Sequence, residues 1–290
     1  MFTIVRRLLA FTVCLYALPL MVLYGFQRQL IFHARRSASP AQVPTGARQI
    51  SLRTDTGDTV AADYGHAMTA NGHPDPNFAD CPTLLFFYGK GSTLAGEHEL
   101  FRRLRRLDVN VLMPDYVGFG QSSGEASEAG CYATATACWR YLRTRPDVDQ
   151  KTLVIAGFSL GTGVAVDLAA RETAAGEPVA GLTLFAGYTS MADVAHQEYP
   201  IYPAALFRLL IKSQFRSVAK MPKIHCPVLI IHSRADRLIP FSMSDRMAAV
   251  CGGPVTRLVL TNADHGTYFT LDGATLFPAI RDFLSHALTK

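Results

Sequence analysis

A serine between two glycines lies near the middle of the chain, in the motif Gly-x-Ser-x-Gly at positions 157–161. The apolar run Thr152–Ile155 precedes the motif and predicts a buried strand, and the alanine- and valine-rich segment after it predicts a helix. In this strand–turn–helix setting the turn must be tight, so that Ser159 projects from the carboxyl end of the strand. A side chain at Gly157 or Gly161 would collide with the neighbouring strand or helix. The motif therefore predicts a nucleophilic serine.

The chemistry of such a serine calls for two further side chains. A serine hydroxyl needs a base within hydrogen-bond reach, and the base needs an acid to orient it. In this architecture the acid and then the histidine follow the serine along the chain, each just after a later strand. Asp236 follows the apolar run Val228–His232, and His265 follows Thr256–Leu260. We therefore expect a catalytic triad of Ser159, Asp236 and His265.

Other acids and histidines compete for these roles. Asp264 adjoins His265 and stays an alternative acid, although neighbours in a turn rarely point the same way. Asp115 also ends a strand, but it precedes Ser159 and is better explained as a turn cap. His232 is expected to close its strand and to pack or hydrogen-bond structurally. Surface roles are expected for the histidines that follow no core strand, which are His73, His98, His196 and His225.

Two backbone amides are needed to hold the negative charge that develops on the substrate oxygen. One belongs to Leu160, which directly follows the serine and begins a helix whose N-terminus favours negative charge. The other should come from the glycine-rich turn Tyr88–Gly91, which ends the apolar run Thr83–Tyr88. We expect it to be the Lys90 amide. The alternative for this turn is a plain strand-to-helix loop.

Composition limits the class of protein. The chain has 290 residues, of which 49% are hydrophobic, and this is enough for one large core. Its net charge of +5 suits an anionic membrane surface, but no motif for DNA or RNA binding is present. The six cysteines form no disulfide framework, and no Cys/His spacing resembles a zinc site. No nucleic-acid partner, metal or organic cofactor is expected.

An uncharged and mostly apolar run extends from Leu8 to Phe26, with arginines on both sides. Its length approaches the roughly 20 residues that cross a bilayer as a helix. A cleaved signal peptide is the alternative, but the run is long for one and no convincing cleavage site follows it. We predict an uncleaved single-pass anchor in residues 1–36, whose orientation is unreadable because both ends are basic. A polar connector at about Ser37–Ala47 opens the second domain, residues 37–290.

Apolar runs alternate with helical patterns through this second domain. Arg48–Arg53 and Thr59–Tyr64 predict a hairpin, and six further runs predict strands that are mostly apolar throughout. The pattern predicts an α/β fold with a mainly parallel sheet of eight strands and helices on both faces. Residues 187–223 hold aromatics, prolines and short helical patterns, and predict a small lid. A helix at Glu97–Leu107 carries arginines expected on a solvated face or against lipid head groups.

Taken together, these motifs resemble the α/β-hydrolase superfamily, in particular its small-lid, membrane-anchored, Bem-type serine hydrolases. The matching stretches follow one another along nearly the whole chain, at residues 26–32, 86–91, 115–124, 157–161, 232–240 and 264–266. Two positions depart from the family pattern. The family usually has His-Gly-Asn where this chain has Tyr88-Gly89-Lys90, and an arginine where Val117 stands. The Lys90 ammonium would either favour an anionic substrate or face water.

The expected function is that of a serine hydrolase which cleaves small-molecule carboxylic esters, lipid-like or with a short acyl group, through an acyl-enzyme. The resemblance leaves the substrate open, because the group includes esterases, acylglycerol lipases, thioesterases and depalmitoylases. Apolar and aromatic residues at Tyr199–Leu210 suggest an acyl-chain site, and ordinary packing explains them equally well. An aminopeptidase would need a carboxylate in the lid, for which Glu198 is the candidate. The last alternative is a catalytically silent fold that serves as a membrane-attached binding module.

Overall fold

One sheet of eight strands forms the centre of the protein. The strands are β1 (Ala47–Arg53), β2 (Thr59–Gly65), β3 (Thr83–Phe87), β4 (Asn110–Pro114), β5 (Leu153–Phe158), β6 (Gly181–Phe185), β7 (Val228–Ser233) and β8 (Val255–Leu260). Their order across the sheet is β1-β2-β4-β3-β5-β6-β7-β8. Strands β3 to β8 run parallel, whereas β2 pairs antiparallel with both β1 and β4. The predicted eight-stranded, mainly parallel sheet is confirmed, with strand ends shifted by up to two residues.

This computed structural model describes residues 2–37, 42–69, 71–177 and 179–288, without the side chains of 2–5, 7–15 and 286–288. Residues 38–41 of the predicted connector and the side chains of the first half of the apolar run at 8–26 therefore lie outside the described residues.

Burial explains which strands are mostly apolar on both faces. Every residue of β3, β4, β6 and β7 is buried, so both faces of these central strands are covered and neither face needs polar side chains. Strand β1 has no fully buried residue and carries arginine, glutamine and serine. Burying a large apolar side chain contributes roughly 1.5–3 kcal/mol. The central strands therefore hold the sheet together and fix the positions of the loops at their carboxyl ends.

Ten α-helices lie in the described residues. They are α1 (Phe2–Phe32), α2 (Leu94–Arg105), α3 (Glu128–Arg143), α4 (Leu160–Ala174), α5 (Met191–Glu198), α6 (Ala204–Leu210), α7 (Ser217–Lys220), α8 (Phe241–Ala249), α9 (Tyr268–Leu271) and α10 (Gly273–Leu288). Two of the helix starts are set by local sequence, because the side chains of Thr93 and Ser127 accept backbone hydrogen bonds at the N-termini of α2 and α3. Helix α4 packs against β3, β5 and β6 and so holds the serine turn against the centre of the sheet.

Helix α1 contains the apolar run that predicts a membrane-spanning anchor. No helix within the described residues is both long and apolar enough to cross a bilayer, so the predicted anchor is not supported.

The second half of α1 packs on the segment between β6 and β7, which holds α5, α6 and α7. The Tyr202 hydroxyl donates to the Tyr16 carbonyl at 3.1 Å, and the Lys212 amide donates to the Gln27 side chain at 2.8 Å. Apolar contacts complete this packing, in a small cluster separate from the main core that includes Leu20, Leu23, Ala192, Tyr202 and Phe207. Helix α1 therefore covers α5 and α6 and forms part of the same layer.

One of the arginines predicted to face solvent or lipid is buried. The side chain of Arg105 is fully buried, and it donates hydrogen bonds to the carbonyls of His66, Thr45 and Gly46 at 2.6–2.8 Å. Burial lowers the pKa of Arg105 to about 10. The expectation of a solvated or lipid-facing helix face is wrong at this position, because the chain before β1 folds back over α2.

Candidate active site

The turn after β5 places Ser159 at the carboxyl edge of the sheet, with φ of 52° and ψ of −118°. This conformation is strained for a residue with a side chain, and it is typical of a nucleophile turn. A Cβ atom at Gly157 would lie 2.3 Å from the Gly161 carbonyl oxygen, and one at Gly161 would lie 2.0 Å from the Phe87 carbonyl oxygen. Both distances are impossibly short, so the predicted need for glycine on either side of the serine is confirmed.

Three predicted side chains meet at this edge of the sheet. The Nε2 atom of His265 lies 2.8 Å from the Ser159 Oγ atom. The Nδ1 atom of His265 lies 2.9 Å from an Asp236 carboxylate oxygen. Such a chain lets the imidazole take the proton of the hydroxyl while the carboxylate holds the ring in one tautomer. The side chains of Ser159 and Asp236 are more than nine-tenths buried, so bulk water screens these contacts only weakly.

The carboxylate of Asp236 accepts four hydrogen bonds. One oxygen accepts the backbone amides of Leu238 and Ile239 at 3.0 and 2.9 Å, and the other accepts His265 and the Tyr268 hydroxyl at 2.9 and 3.0 Å. Burial alone would raise the pKa of Asp236, but the hydrogen bond and charge of His265, aided by the other donors, hold it below its ordinary value. Asp236 is therefore kept ionised beside the imidazole.

The competing acid and the nearest competing histidine have other partners. Asp264 accepts the backbone amides of His265 and Arg237 at 2.8 and 3.0 Å, so it caps the turn that carries the imidazole. The ring of His232 is buried, and its Nε2 atom lies 2.9 Å from the Ile239 carbonyl oxygen. Burial lowers the pKa of His232, which favours a neutral ring that donates to this carbonyl. Both residues thus shape the loops around the candidate triad.

One of the histidines expected at the surface has a buried partner. The Nε2 atom of His98 lies 2.9 Å from a carboxylate oxygen of Asp63, which is fully buried. The expectation of a simple surface role for His98 is therefore wrong. The sequence could not reveal this pair, because Asp63 lies on β2 and His98 lies on α2.

The predicted oxyanion donors belong to two segments that border the serine. Leu160 is the first residue of α4, where the helix leaves its first amides without intrahelical partners. Gly89, directly before Lys90, approaches so closely that a Cβ atom there would lie 3.4 Å from the Cβ of Ser159. Leu160 and the turn that contains Lys90 therefore border the candidate nucleophile, and the catalytic role of their amides stays a prediction.

Two aromatic residues support the site without having been predicted. The Tyr268 hydroxyl donates to Asp236 and accepts the Ser233 amide at 2.9 Å, which ties the acid loop to β7. The Phe158 ring stacks on the His265 ring, with 5.2 Å between their centroids. Phe158 could have been singled out only because it lies inside the serine motif. Tyr268 lies in no motif, so the sequence gives no signal for it.

An apolar cavity of about 260 Å³ opens onto Ser159. Helix α1 supplies one wall with six residues, which are Leu20, Leu23, Tyr24, Gln27, Leu30 and Ile31. The opposite wall comes from α5, α6 and the loop after β7, and Lys90 lies at the edge. In the described residues, no group of three or more His, Cys, Asp and Glu side chains is placed to hold a metal ion. The cavity can thus enclose an apolar group next to a nucleophile.

Comparisons with known proteins agree with this fold. The sequence profile of the family described as alpha/beta hydrolase fold matches residues 82–221. Protein Rv2307c of Mycobacterium tuberculosis is 30% identical over 269 residues, which cover 92% of this chain and 90% of that protein. Human alpha/beta hydrolase domain-containing protein 17B is 34% identical over 184 residues, or 63% of this chain and 60% of that protein. The chain belongs to the α/β-hydrolase superfamily.

Solved structures show the same fold at low sequence identity. The Pyrococcus furiosus esterase Pf2001 matches with a TM-score of 0.68 and 14% identity, and the match covers 88% of this chain and 99% of that one. Est1E from Butyrivibrio proteoclasticus matches with a TM-score of 0.65 and 15% identity, covering 83% and 99% of the two chains.

Proposed function

We propose that this protein is a serine hydrolase that cleaves carboxylic esters with an apolar acyl group. The observation that carries the proposal is the hydrogen-bonded series from Ser159 through His265 to Asp236, at the mouth of an apolar cavity. One of the similar structures is an esterase from Pyrococcus furiosus, which is consistent with ester chemistry.

The reaction follows from the positions of these atoms. The Ser159 oxygen attacks the acyl carbon while its proton passes to Nε2 of His265. Asp236 stabilises the imidazolium through Nδ1, and the amides of Lys90 and Leu160 hold the oxyanion. The tetrahedral intermediate collapses, the C–O bond breaks, and the leaving alkoxide takes the proton from Nε2. Water then attacks the acyl-enzyme by the same sequence and releases the carboxylic acid together with the free serine.

The lining of the cavity supports an aliphatic acyl chain. Apart from Ser159, Gln27, Lys90 and Glu198, the residues that line the cavity are apolar or aromatic. An acyl chain seated there gains roughly 0.8 kcal/mol for each methylene group removed from water. We therefore expect kcat/KM to rise with acyl length until the cavity is filled.

Covalent labelling tests the proposal directly. A fluorophosphonate probe should label the wild-type protein on Ser159, as read by mass spectrometry of the labelled peptide. Ser159→Ala should abolish both labelling and hydrolysis of a p-nitrophenyl butyrate substrate while the circular dichroism spectrum stays unchanged. The matched control is Ser51→Ala on the edge strand β1, which should keep both activities. Ester hydrolysis that survives in Ser159→Ala would refute the mechanism, and a wild-type protein that does not label would favour the silent binding module.

An aminopeptidase is the second candidate, because Glu198 lines the cavity. A carboxylate there could hold the ammonium group of a peptide N-terminus. The same cavity presents mostly apolar side chains, which favours the ester. Aminoacyl p-nitroanilides, tested beside esters and thioesters of equal chain length, decide between the classes. Turnover of the anilide that is lost in Glu198→Gln would make the peptidase the better assignment.

We also propose that the protein acts at a lipid surface. Of the thirteen large apolar side chains that are exposed in the described residues, ten lie on α1 or in the segment of α5 and α6. Leu18 is 59% exposed and Leu209 is 79% exposed. Such a concentration of exposed apolar side chains marks an interaction surface, and it borders the cavity.

Sedimentation with lipid vesicles tests this surface. Leu18→Asp combined with Leu209→Asp should lower partitioning onto vesicles that contain anionic lipid by about tenfold or more, because two apolar contacts are lost. Leu271→Asp is the matched control, since Leu271 is 63% exposed but lies on α9. Equal loss in both variants, or no loss in the double variant, would contradict the proposed lipid contact.

A further inference from the structure

A second pocket, of about 430 Å³, adjoins the apolar cavity. It is lined by Gln29, Leu30, His33, Arg35, Lys90 and Gly91. The lining includes one lysine, one arginine and one histidine, and no carboxylate lines the pocket in the described residues. We name it the basic pocket.

The basic pocket shares residues with the cavity that contains the serine. Leu30 and Lys90 line both, so the two spaces meet at the turn that follows β3. The Lys90 backbone is a predicted oxyanion donor, whereas its ammonium group donates one hydrogen bond to the Leu30 carbonyl at 3.2 Å. An ammonium group has three donors, so two remain for a ligand.

Backbone hydrogen bonds hold one wall of the basic pocket in place. This wall is the segment 33–37, which leaves α1 and runs across the catalytic edge of the sheet. The Gly91 amide donates to the Phe32 carbonyl at 3.2 Å, the Gly120 amide to the Arg35 carbonyl at 2.7 Å, and the Ser37 amide to the Gly120 carbonyl at 3.0 Å. The wall is thus tied to the turns after β3 and β4, and its cations are presented on a fixed backbone.

The cations of the basic pocket are available to a ligand. Lys90, Arg35 and His33 are exposed, and none of them pairs with a carboxylate in the described residues. The neighbouring arginines differ in this respect. Arg28 pairs with Glu125, and the guanidinium of Arg36 donates to the carbonyls of Ser122 and Gly124. Positive charge that is not balanced within the protein therefore collects on one side of the serine cavity.

We propose that the basic pocket binds an anionic group of the phosphate class, carried by the alcohol part of the ester. This inference rests on the proposed function. The acyl chain would lie in the apolar cavity, the ester carbon at Ser159, and the phosphate between Lys90 and Arg35. Arginine and lysine side chains are the usual partners of phosphate oxygens. The substrate is then an acyl ester with an anionic head group, in place of a neutral acylglycerol.

A matched pair of esters tests the proposal in two ways. The pair is monodecanoylglycerol and its phosphate monoester, both used below their micelle concentrations. Release of decanoate by the wild type gives the ratio of kcat/KM values for the anionic and the neutral ester. Calorimetric binding of both esters to Ser159→Ala gives the same preference without turnover. We expect the anionic ester to be preferred by about fivefold or more in each measurement, since exposed ionic contacts contribute up to about fivefold each.

Charge removal should reduce this preference. Arg35→Gln and Lys90→Gln should each lower the anionic-to-neutral ratio by about two- to fivefold, and the double variant should abolish most of it. Arg53→Gln, on the hairpin strand β1, is the matched control and should leave the ratio unchanged. Raising the ionic strength from about 0.05 to about 0.5 M should also shrink the ratio, because exposed charges are screened.

Three results distinguish a failure of the basic pocket from a failure of the proposed ester hydrolysis. Equal binding of the two esters to Ser159→Ala overturns the basic pocket as a head-group site. Preferred binding of the anionic ester, with no release of decanoate from either ester by the wild type, supports the pocket and refutes the proposed function. In the third result, inorganic phosphate competes with the neutral ester while Ser159→Ala binds both esters equally. That result would show a site for a free anion and overturn the assignment to a lipid head group.

Discussion

Two buried aspartates follow strands of the same sheet, Asp115 after β4 and Asp236 after β7. Each accepts a tyrosine hydroxyl and two backbone amides. For Asp115 the donors are the Tyr88 hydroxyl at 2.6 Å and the amides of Leu94 and Gln121 at 2.9 and 3.1 Å. Asp236 accepts the corresponding set and, in addition, the His265 ring. The two loops therefore differ chiefly in one donor.

This one donor changes the electrostatics of the carboxylate. Burial raises the pKa of Asp115, and its hydrogen bonds only partly offset this effect. At Asp236 the imidazole adds a hydrogen bond and a charge, and the pKa falls below the ordinary value. A tyrosine and two amides are thus enough to hold a carboxylate in place, but the imidazole partner is what brings the pKa of Asp236 below the ordinary value. The same strand-end position can therefore serve structure or chemistry.

The largest expected effect is on turnover at the Asp236 loop. Asp236→Asn should lower kcat by about 10⁴-fold, because an amide in this position favours the wrong imidazole tautomer. Steady-state hydrolysis of p-nitrophenyl butyrate measures kcat, and thermal unfolding of the same sample checks that the variant is folded. Asp264→Asn is the control and should change kcat by less than about tenfold, since an amide oxygen can still accept its two backbone amides. Similar losses in both variants would erase the distinction between the two acids.

At the Asp115 loop we expect a large effect on the free energy of unfolding and little effect on kcat. Asp115→Ala leaves the Tyr88 hydroxyl and the amides of Leu94 and Gln121 without their acceptor. We expect the free energy of unfolding to fall by about 3 kcal/mol or more, as measured in urea, while kcat of the folded enzyme changes less than tenfold. Asp55→Ala removes an exposed ion pair with Arg140 and should cost about 1 kcal/mol or less. If kcat of Asp115→Ala fell by more than tenfold under conditions where the variant is fully folded, the Asp115 loop would also serve catalysis.

Smaller effects are expected at the two tyrosines that donate to these aspartates. Tyr268→Phe and Tyr88→Phe each remove one hydroxyl from a buried carboxylate, and each should destabilise the fold by about 1 kcal/mol. Only Tyr268→Phe should also lower kcat, by a few fold, because Tyr268 positions the acid that orients His265. Urea unfolding and kcat measured on both variants test this. Equal effects on kcat would mean that the hydroxyl of Tyr268 has no role beyond packing.

The smallest effect is the pH dependence of stability, where the two aspartates have opposite signs. The folded-state pKa of Asp236 is lowered, so its stabilisation is present above the ordinary value of 3.8 and is lost as the pH falls through the folded-state pKa. The folded-state pKa of Asp115 is raised, so its ionised form costs stability, and this cost disappears as the pH falls.

Urea unfolding between about pH 6 and pH 3 measures these opposing contributions. Asp236→Asn should flatten the acid-side decline in the free energy of unfolding, and Asp115→Asn should steepen it. A change of the same sign in both variants would contradict the pKa directions that distinguish the two loops.

Much of the candidate site could be predicted from local sequence. The glycines at 157 and 161 are required by contacts with atoms of the same turn and of the adjacent β3, and an apolar run followed by such a motif leaves few alternatives. The order of serine, acid and histidine could be predicted because each lies at the end of a parallel strand, and all these ends share one edge of the sheet. Strand number and direction followed from the same apolar periodicity.

Features that depend on distant segments could not be predicted in this way. Arg105 has the sequence context of a solvated helix arginine, yet the chain at Thr45 and Gly46 covers it. Tyr268 belongs to no motif, and its role depends on the acid loop lying beside α9. The apolar run at 8–26 favoured a membrane-spanning helix, since composition alone cannot tell which side chains contact another helix.

The sequence alone determined that a serine turn lies in the middle of a parallel sheet, because glycine spacing and apolar runs act through nearest neighbours along the chain and across adjacent strands. The choice of Asp236 rather than Asp264 as the partner of the His265 imidazole depends on the packing of the folded chain. The same packing makes α1 one wall of the cavity and places Lys90 and Arg35 beside one pocket. These outcomes depend on the packing of segments far apart in the chain, where small differences in loop path decide which polar groups meet.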